Sequence, residues 1–332
     1  MKENIKILHF LRGFAALGVV IFHYSTAALP TIKDNLLAPI FYYGQYGVQV
    51  FFVISGFVIP YSMHRSGYKI NHYFKNILQR YVRICPPSYL SFLMIFAIYY
   101  GAILINHHPI EGMPWVGINT ISVIGNLTYT VPYLKTEWFN PVFWTLAVEF
   151  QFYLIIGLLL PLLIKKNNVL IIIILIGALA LWYVKIFWFF EYASFFVLGI
   201  LLFLRKQKLI PPILFIVLSI ITILFTYIQN NIPEFTFGTA TYLIILLNQN
   251  LDFKFTNHLG KISYSLYIIH LPIGFIAEIV LKHILPIHHS DSGKIIMLLI
   301  YTIISILFAT LFYKFIEKPF LDYSKKVKAS IK

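Results

Sequence analysis

Charge is what this sequence has least of. Asp, Glu, Lys and Arg make up 11% of its 332 residues, while 59% are hydrophobic. A soluble domain is about a quarter charged, so a chain with a mean hydropathy of +0.80 cannot hide its apolar surface in a water-soluble core. The solvent it is built for is a bilayer. The scarcity is one-sided: 12 acidic residues stand against 26 Lys and Arg, a net charge of +14. In a soluble protein that excess would raise nucleic acid as a partner. Here basic loops facing the cytoplasm and anionic headgroups account for it, and no nucleic acid is expected. Cysteine is nearly absent. A single Cys85 excludes an intrachain disulfide and a cysteine-paired metal site, and it reads as a small hydrophobe. Also missing are Walker A, H-E-x-x-H, G-x-S-x-G and Rossmann glycine patterns, so no ATPase, zincin, hydrolase or dinucleotide signature is present. His107-His108 and His288-His289 lack a carboxylate at ligand spacing, and no metal is expected.

What is present is a series of long apolar runs. A span needs about 20 apolar residues, and that window selects ten segments: about 7–29, 45–62, 83–105, 142–164, 168–184, 186–204, 210–228, 236–251, 262–285 and 294–316. The expected fold is therefore all-α, a polytopic integral membrane protein with about ten transmembrane helices. It is read as one membrane domain over 1–332 in the cytoplasmic (cell) membrane, with no added soluble domain. The first segment is too long for a signal peptide and carries Arg12, so it reads as a retained span. The stretch 119–134, broken by Asn126 and Pro132, reads as re-entrant or interfacial rather than as an eleventh span. With the N-terminus inside, only Lys33, Lys135, Lys185, Lys282 and Lys294 fall outside, and Arg12 lies within a span. The remaining Lys and Arg fall inside, which predicts both ends in the cytoplasm.

Ionisable groups inside spans are costly and point to function. Arg12 and His23 share the first span, eleven residues apart, about three turns and 16 Å of rise. Eleven steps of about 100° return to nearly the same azimuth, so one helix face offers a cation and an imidazole. Alone, His23 would read as a hydrogen-bonded core histidine and Arg12 as a snorkelling residue. Arg80 and Arg83, spaced by three, share a helix face at the cytoplasmic entry to the third segment. They suit phosphate, or serve simply as a positive-inside anchor. Glu149 lies seven residues into the fourth segment, at a depth expected to match His23. A buried carboxylate needs a partner, and a Glu149–His23 pair would make a general base. Gly47 and Gly56 in the second segment read as sites of close helix packing. His270, in the ninth segment, is placed to line the same cavity.

These residues fall into a known order. Leu11-Arg12-Gly13-Phe14-Ala15-Ala16-Leu17 through His23-Tyr24 resembles the opening R-x10-H motif of the membrane-bound acyltransferase-3 family. So do Phe51-Phe52-Val53-Ile54-Ser55-Gly56-Phe57, the Arg80–Arg83 pair, the stretch from Trp144 to Tyr153, Ser263-Tyr264-Ser265-Leu266-Tyr267 with His270, and Glu317-Lys318-Pro319. The resemblance covers nearly the whole chain. It implies an O-acyltransferase, usually an O-acetyltransferase, that moves an acyl group from cytoplasmic acyl-CoA to a hydroxyl of a carbohydrate or lipid-linked glycan at the outer face. The matching positions are Arg12, His23 and Glu149 for catalysis and Arg80 and Arg83 for the donor. Trp144, Tyr153, Tyr264 and His270 are expected around the substrate cavity. Some members carry a further hydrolase-like domain, which is not expected here.

Two readings compete with the enzyme. A transporter or flippase of a lipid-linked sugar or small solute would use the buried Arg, His and Glu as a proton-coupled path, although no inverted repeat or half-helix signal is present. A structural partner in a glycan assembly complex would not need polar residues this deep.

Overall fold

A computed structural model describes residues 6–106, 119–184, 187–247 and 254–329. The His107-His108 pair, Lys185 and the edges of the expected segments at 186–204 and 236–251 lie outside the described residues. All regular secondary structure among the described residues is helical. Eleven longer helices organise it: α1 (Lys6–Phe22), α2 (Gly47–Arg65), α3 (Tyr73–Asn106), α4 (Phe143–Leu163), α5 (Asn168–Ala180), α6 (Ala193–Lys206), α7 (Pro212–Gln229), α8 (Ile232–Leu247), α9 (Lys254–Ile284), α10 (Asp291–Phe312) and α11 (Lys318–Ala329).

Each expected apolar segment overlaps one of α1 to α10, but length divides them. Seven helical stretches are long and apolar enough to cross a membrane: Lys6–Ala27, Ala38–Arg65, Ile70–Leu104, Phe143–Leu163, Pro212–Gln229, Lys254–Ile284 and Asp291–Val327. The helices at Asn168–Tyr183 and Ile232–Leu247 are shorter, and α6 has 14 residues. Fourteen residues rise about 21 Å, less than the roughly 30 Å of a hydrocarbon core. From Ala193 to Leu204 every residue of α6 is buried, so this helix is enclosed by protein rather than lipid. The stretch after Asn119 forms two short helices, Thr120–Thr128 and Val131–Leu134, neither long enough to span.

Glycine sets the closest approaches. A Cβ added at Gly260 of α9 would lie 2.2 Å from the His9 carbonyl of α1, and one at Gly13 would lie 2.8 Å from Leu259. On α2, a Cβ at Gly47 would meet the Ala15 carbonyl at 2.5 Å, and one at Gly56 the Phe196 carbonyl at 2.2 Å. Gly199 of α6 faces the Val53 carbonyl of α2 in the same way. Small residues let these backbones touch directly, which agrees with the packing role expected of Gly47 and Gly56.

Two helices change pitch near their ends. α1 continues into a π-helical turn at His23–Ala27, and α10 into another at Tyr313–Glu317. Such wide turns are rare and often sit at functional sites. Here one begins with His23 and the other ends with the buried Glu317.

Candidate active site

Helices α1, α2, α3, α4 and α9 surround a cavity of about 90 Å³. Three arginines line it, Arg12, Arg80 and Arg83, together with Glu149, Tyr153 and Tyr264. The Arg12 Nε donates to Ser263 Oγ of α9 at 3.3 Å. Arg83, Glu149 and Glu317 lie within electrostatic reach of the same guanidinium. Glu149 Oε1 accepts from Ser55 Oγ at 2.9 Å and from Tyr153 OH at 2.7 Å. The Arg80 guanidinium lies over the Tyr153 ring, 5.2 Å from its centroid. Tyr264 OH donates to the Ile84 carbonyl at 2.6 Å.

Arg80 departs from the expectation of a residue at the water interface. It is only 5% exposed, and its Nε has no hydrogen-bond partner. A buried guanidinium left partly unpaired is costly, and it gives the cavity capacity for an anion.

The histidines occupy a second level, further along α1. His23 Nδ1 lies 2.9 Å from the Val19 carbonyl and 3.2 Å from His270 Nε2. His270 Nδ1 lies 2.7 Å from the Tyr267 carbonyl and 3.2 Å from that of Leu266. His270 is fully buried, whereas His23 keeps part of its surface open. Thr145 and Tyr267, which line the cavity, connect the two levels. Their hydroxyls are 2.7 Å apart, and the Tyr267 ring lies 6.2 Å from that of His270.

Arg12 and His23 both meet α9, through Ser263 and His270, as their shared azimuth requires. Glu149 and His23 are not hydrogen-bonded to one another, contrary to the depth argument. α4 begins inside the protein. The Asn140 amide just before it donates to the Ile268 carbonyl at 3.0 Å, and Tyr267 OH donates to the Val142 carbonyl at 3.2 Å. The start of α4 is thus level with Tyr267 and Ile268. Seven residues further on, about 10 Å, Glu149 has reached the arginine level. Trp144 is not among the residues lining the cavity; it packs in an aromatic nest with Phe52, Trp188 and Tyr192.

A model of the acyltransferase-3 type, described as an acyltransferase domain, matches residues 5–314. The chain belongs to the acyltransferase-3 family. No curated protein and no solved structure matches it. As a multi-pass helical member of a membrane acyltransferase family, it has an acyl donor and an acceptor to bring together. Two polar groups of this acyltransferase were not singled out from the sequence as site residues. Glu317 Oε2 accepts from Ser265 Oγ at 2.5 Å and from the Ser265 amide at 3.2 Å. Ser55 holds Glu149. Both stand inside the quoted motifs, and that was their signal. No cluster of His, Cys, Asp or Glu suited to a metal occurs among the described residues.

Proposed function

We propose that this acyltransferase moves an acyl group, most simply acetyl, from cytoplasmic acyl-CoA to a hydroxyl of a carbohydrate or lipid-linked glycan at the outer face. The observation that carries this reading is the two-level arrangement. An arginine-lined cavity, with an unpaired buried Arg80 Nε contributed by α3, and a partly open histidine lie at two successive contacts between α1 and α9, Arg12 with Ser263 and His23 with His270.

Arg80, Arg83 and Arg12 are assigned to the donor phosphates. Guanidinium groups bind phosphate with paired, charge-assisted hydrogen bonds. Glu149, with Ser55 and Tyr153, supplies the counter-charge that keeps this cationic group in place before the donor arrives. His23 is assigned as the general base. The acceptor oxygen forms a bond to the thioester carbonyl carbon as its proton passes to His23. The carbon–sulfur bond then breaks, and the proton passes to the sulfur, so that coenzyme A leaves as the thiol. Arg12 and His23 are separated by about 16 Å along α1, so the arm joining the donor's phosphates to its thioester has to bridge the two levels.

The experiment is acyl transfer by purified protein in lipid nanodiscs. Radiolabelled acetyl-CoA is supplied with a glycolipid extract from cells lacking the gene. Label is expected in the glycolipid fraction, with His23→Ala reduced by about 10²–10⁴-fold, the usual contribution of a general base. Absence of transfer together with movement of a lipid-linked sugar across vesicles containing the protein would favour the transporter instead.

A further inference from the structure

The hydrogen-bond pattern of the two histidines restricts their protons. His270 Nδ1 faces only carbonyl oxygens, those of Tyr267 and Leu266. A ring nitrogen can satisfy a carbonyl only by donating to it, so Nδ1 carries the proton and, in the neutral ring, Nε2 carries the lone pair. That lone pair points at His23 Nδ1. The other neighbour of His23 Nδ1 is the Val19 carbonyl, again an acceptor. Two acceptors converge on one nitrogen, so the His23 proton sits on Nδ1. In the opposite tautomer three lone pairs would meet with no proton among them. The consequence falls on the far side of the ring: His23 Nε2 is unprotonated and free to accept.

The His270 ring is held more firmly than a single contact would allow. Its own helix supplies both carbonyls. Tyr24 OH donates to the His270 carbonyl and lies 2.6 Å from Ser305 Oγ of α10, so α1, α9 and α10 meet at this point. His270 has no exposed surface and cannot reach a hydroxyl group arriving from outside. His23, beside it and partly open, can.

We propose that His270 is the positioning residue of the acyl-transfer reaction. Together with the Val19 carbonyl, its Nε2 holds the His23 ring in the tautomer whose free Nε2 faces the acceptor hydroxyl. When His23 takes up the acceptor proton, the same contact becomes a charge-assisted hydrogen bond and stabilises the cation as it forms. The role is that of an orienting partner, filled here by a neutral imidazole in place of a carboxylate. The proposal rests on the acyl-transfer reading for its consequence, but not for its geometry.

The test compares His270→Gln with His270→Asn. A glutamine amide reaches to about the position of a histidine Nε2, and an asparagine amide stops at about that of Nδ1. Gln therefore offers an oxygen to His23 Nδ1–H, and Asn does not. Two readouts are taken in nanodiscs: ¹⁵N chemical shifts of the His23 ring, and kcat and KM for labelled acetyl-CoA. The wild type should show a protonated Nδ1 and a lone-pair Nε2. His270→Asn should leave Nδ1–H to the Val19 carbonyl alone, which moves the Nδ1 resonance, and lower kcat roughly ten- to hundredfold, the weight of a hydrogen bond to a charged group, with KM little changed. His270→Gln should keep the tautomer and recover most of kcat. If Asn fails to reach the membrane, Gln against wild type still decides, since loss of the tautomer in Gln overturns the proposal. So does a His23 spectrum that is identical in wild type and Asn, or an equal kcat loss in Asn and Gln. A wild type that transfers no acetyl group would sink the acyl-transfer reading, while the ring shifts would still decide the pairing.

Discussion

The side-chain amide of Asn140 donates to the Ile268 carbonyl at 3.0 Å, two residues before His270. The same amide lies 3.2 Å from Ser91 Oγ, and its oxygen accepts from the Val142 amide at 3.3 Å. One fully buried side chain thereby ties α3, the start of α4 and the histidine-bearing stretch of α9 together. Asn140→Leu should lower stability by about 1–3 kcal/mol, since buried polar groups lose their partners. Thermal unfolding in detergent measures this. Turnover should fall along with it, because the α9 segment that carries His270 loses its brace.

The arginine pair gives a donor-binding prediction. Charge-assisted contacts contribute roughly 1.5–3 kcal/mol each, so Arg80→Ala with Arg83→Ala should weaken acetyl-CoA binding well over tenfold. Calorimetry or ligand-induced thermal shift reads it. Lysine at both positions should recover only part, because the planar fork is lost. Unchanged affinity would reduce the pair to a topological anchor. Arg80→Lys should be the more harmful single change, since Arg80 is buried against Tyr153.

Glu149 should act on the donor and not on the histidine. Glu149→Gln keeps the shape but removes the charge that Ser55 and Tyr153 hold. KM for the acyl donor should change by several-fold, while the ¹⁵N signals of His23 stay where they are. Groups that share no partner respond independently. A shift of the His23 ring signals in this variant would restore the direct pairing that the depth argument suggested.

Topology can be mapped by cysteine labelling in a Cys85→Ser background. With both ends inside, a cysteine at Ser290 should react with an impermeant reagent from outside, and one at Lys166 should not. The opposite pattern would reverse the charge-based orientation and, with it, the side from which each substrate arrives.

Much of the site was legible wherever one helix carried the information. The spacing of Arg12 and His23 sets a common face, and both meet α9. The breaks at Asn126 and Pro132 signal a segment that does not span, and Asn126 indeed bonds the Glu137 carbonyl and the Phe139 amide, folding 119–140 back on itself. What local periodicity could not give was level between helices. The depth of Glu149 in the sequence is relative to a membrane surface, but Asn140 draws the start of α4 into the protein. The partner of His23 was hidden for a related reason. His270 is 247 positions away and meets it because Gly13 and Gly260 let α1 and α9 touch. Trp144 sits beside the site in sequence, yet its helix turns it into an aromatic nest instead.

Those glycine contacts also bear on movement. Where Gly260 meets His9, Gly47 meets Ala15 and Gly56 meets Phe196, main chain lies against main chain. A shear between helices normally works by side chains re-seating in neighbouring grooves, and at these seams no such layer exists. α1, α2, α6 and α9 are in effect keyed to one another, and rocking one half of the molecule against the other would have to unlock several keys at once. That favours a stationary machine over an alternating one: if acyl-CoA is the donor, as proposed, the travelling falls to its flexible arm and to the acceptor.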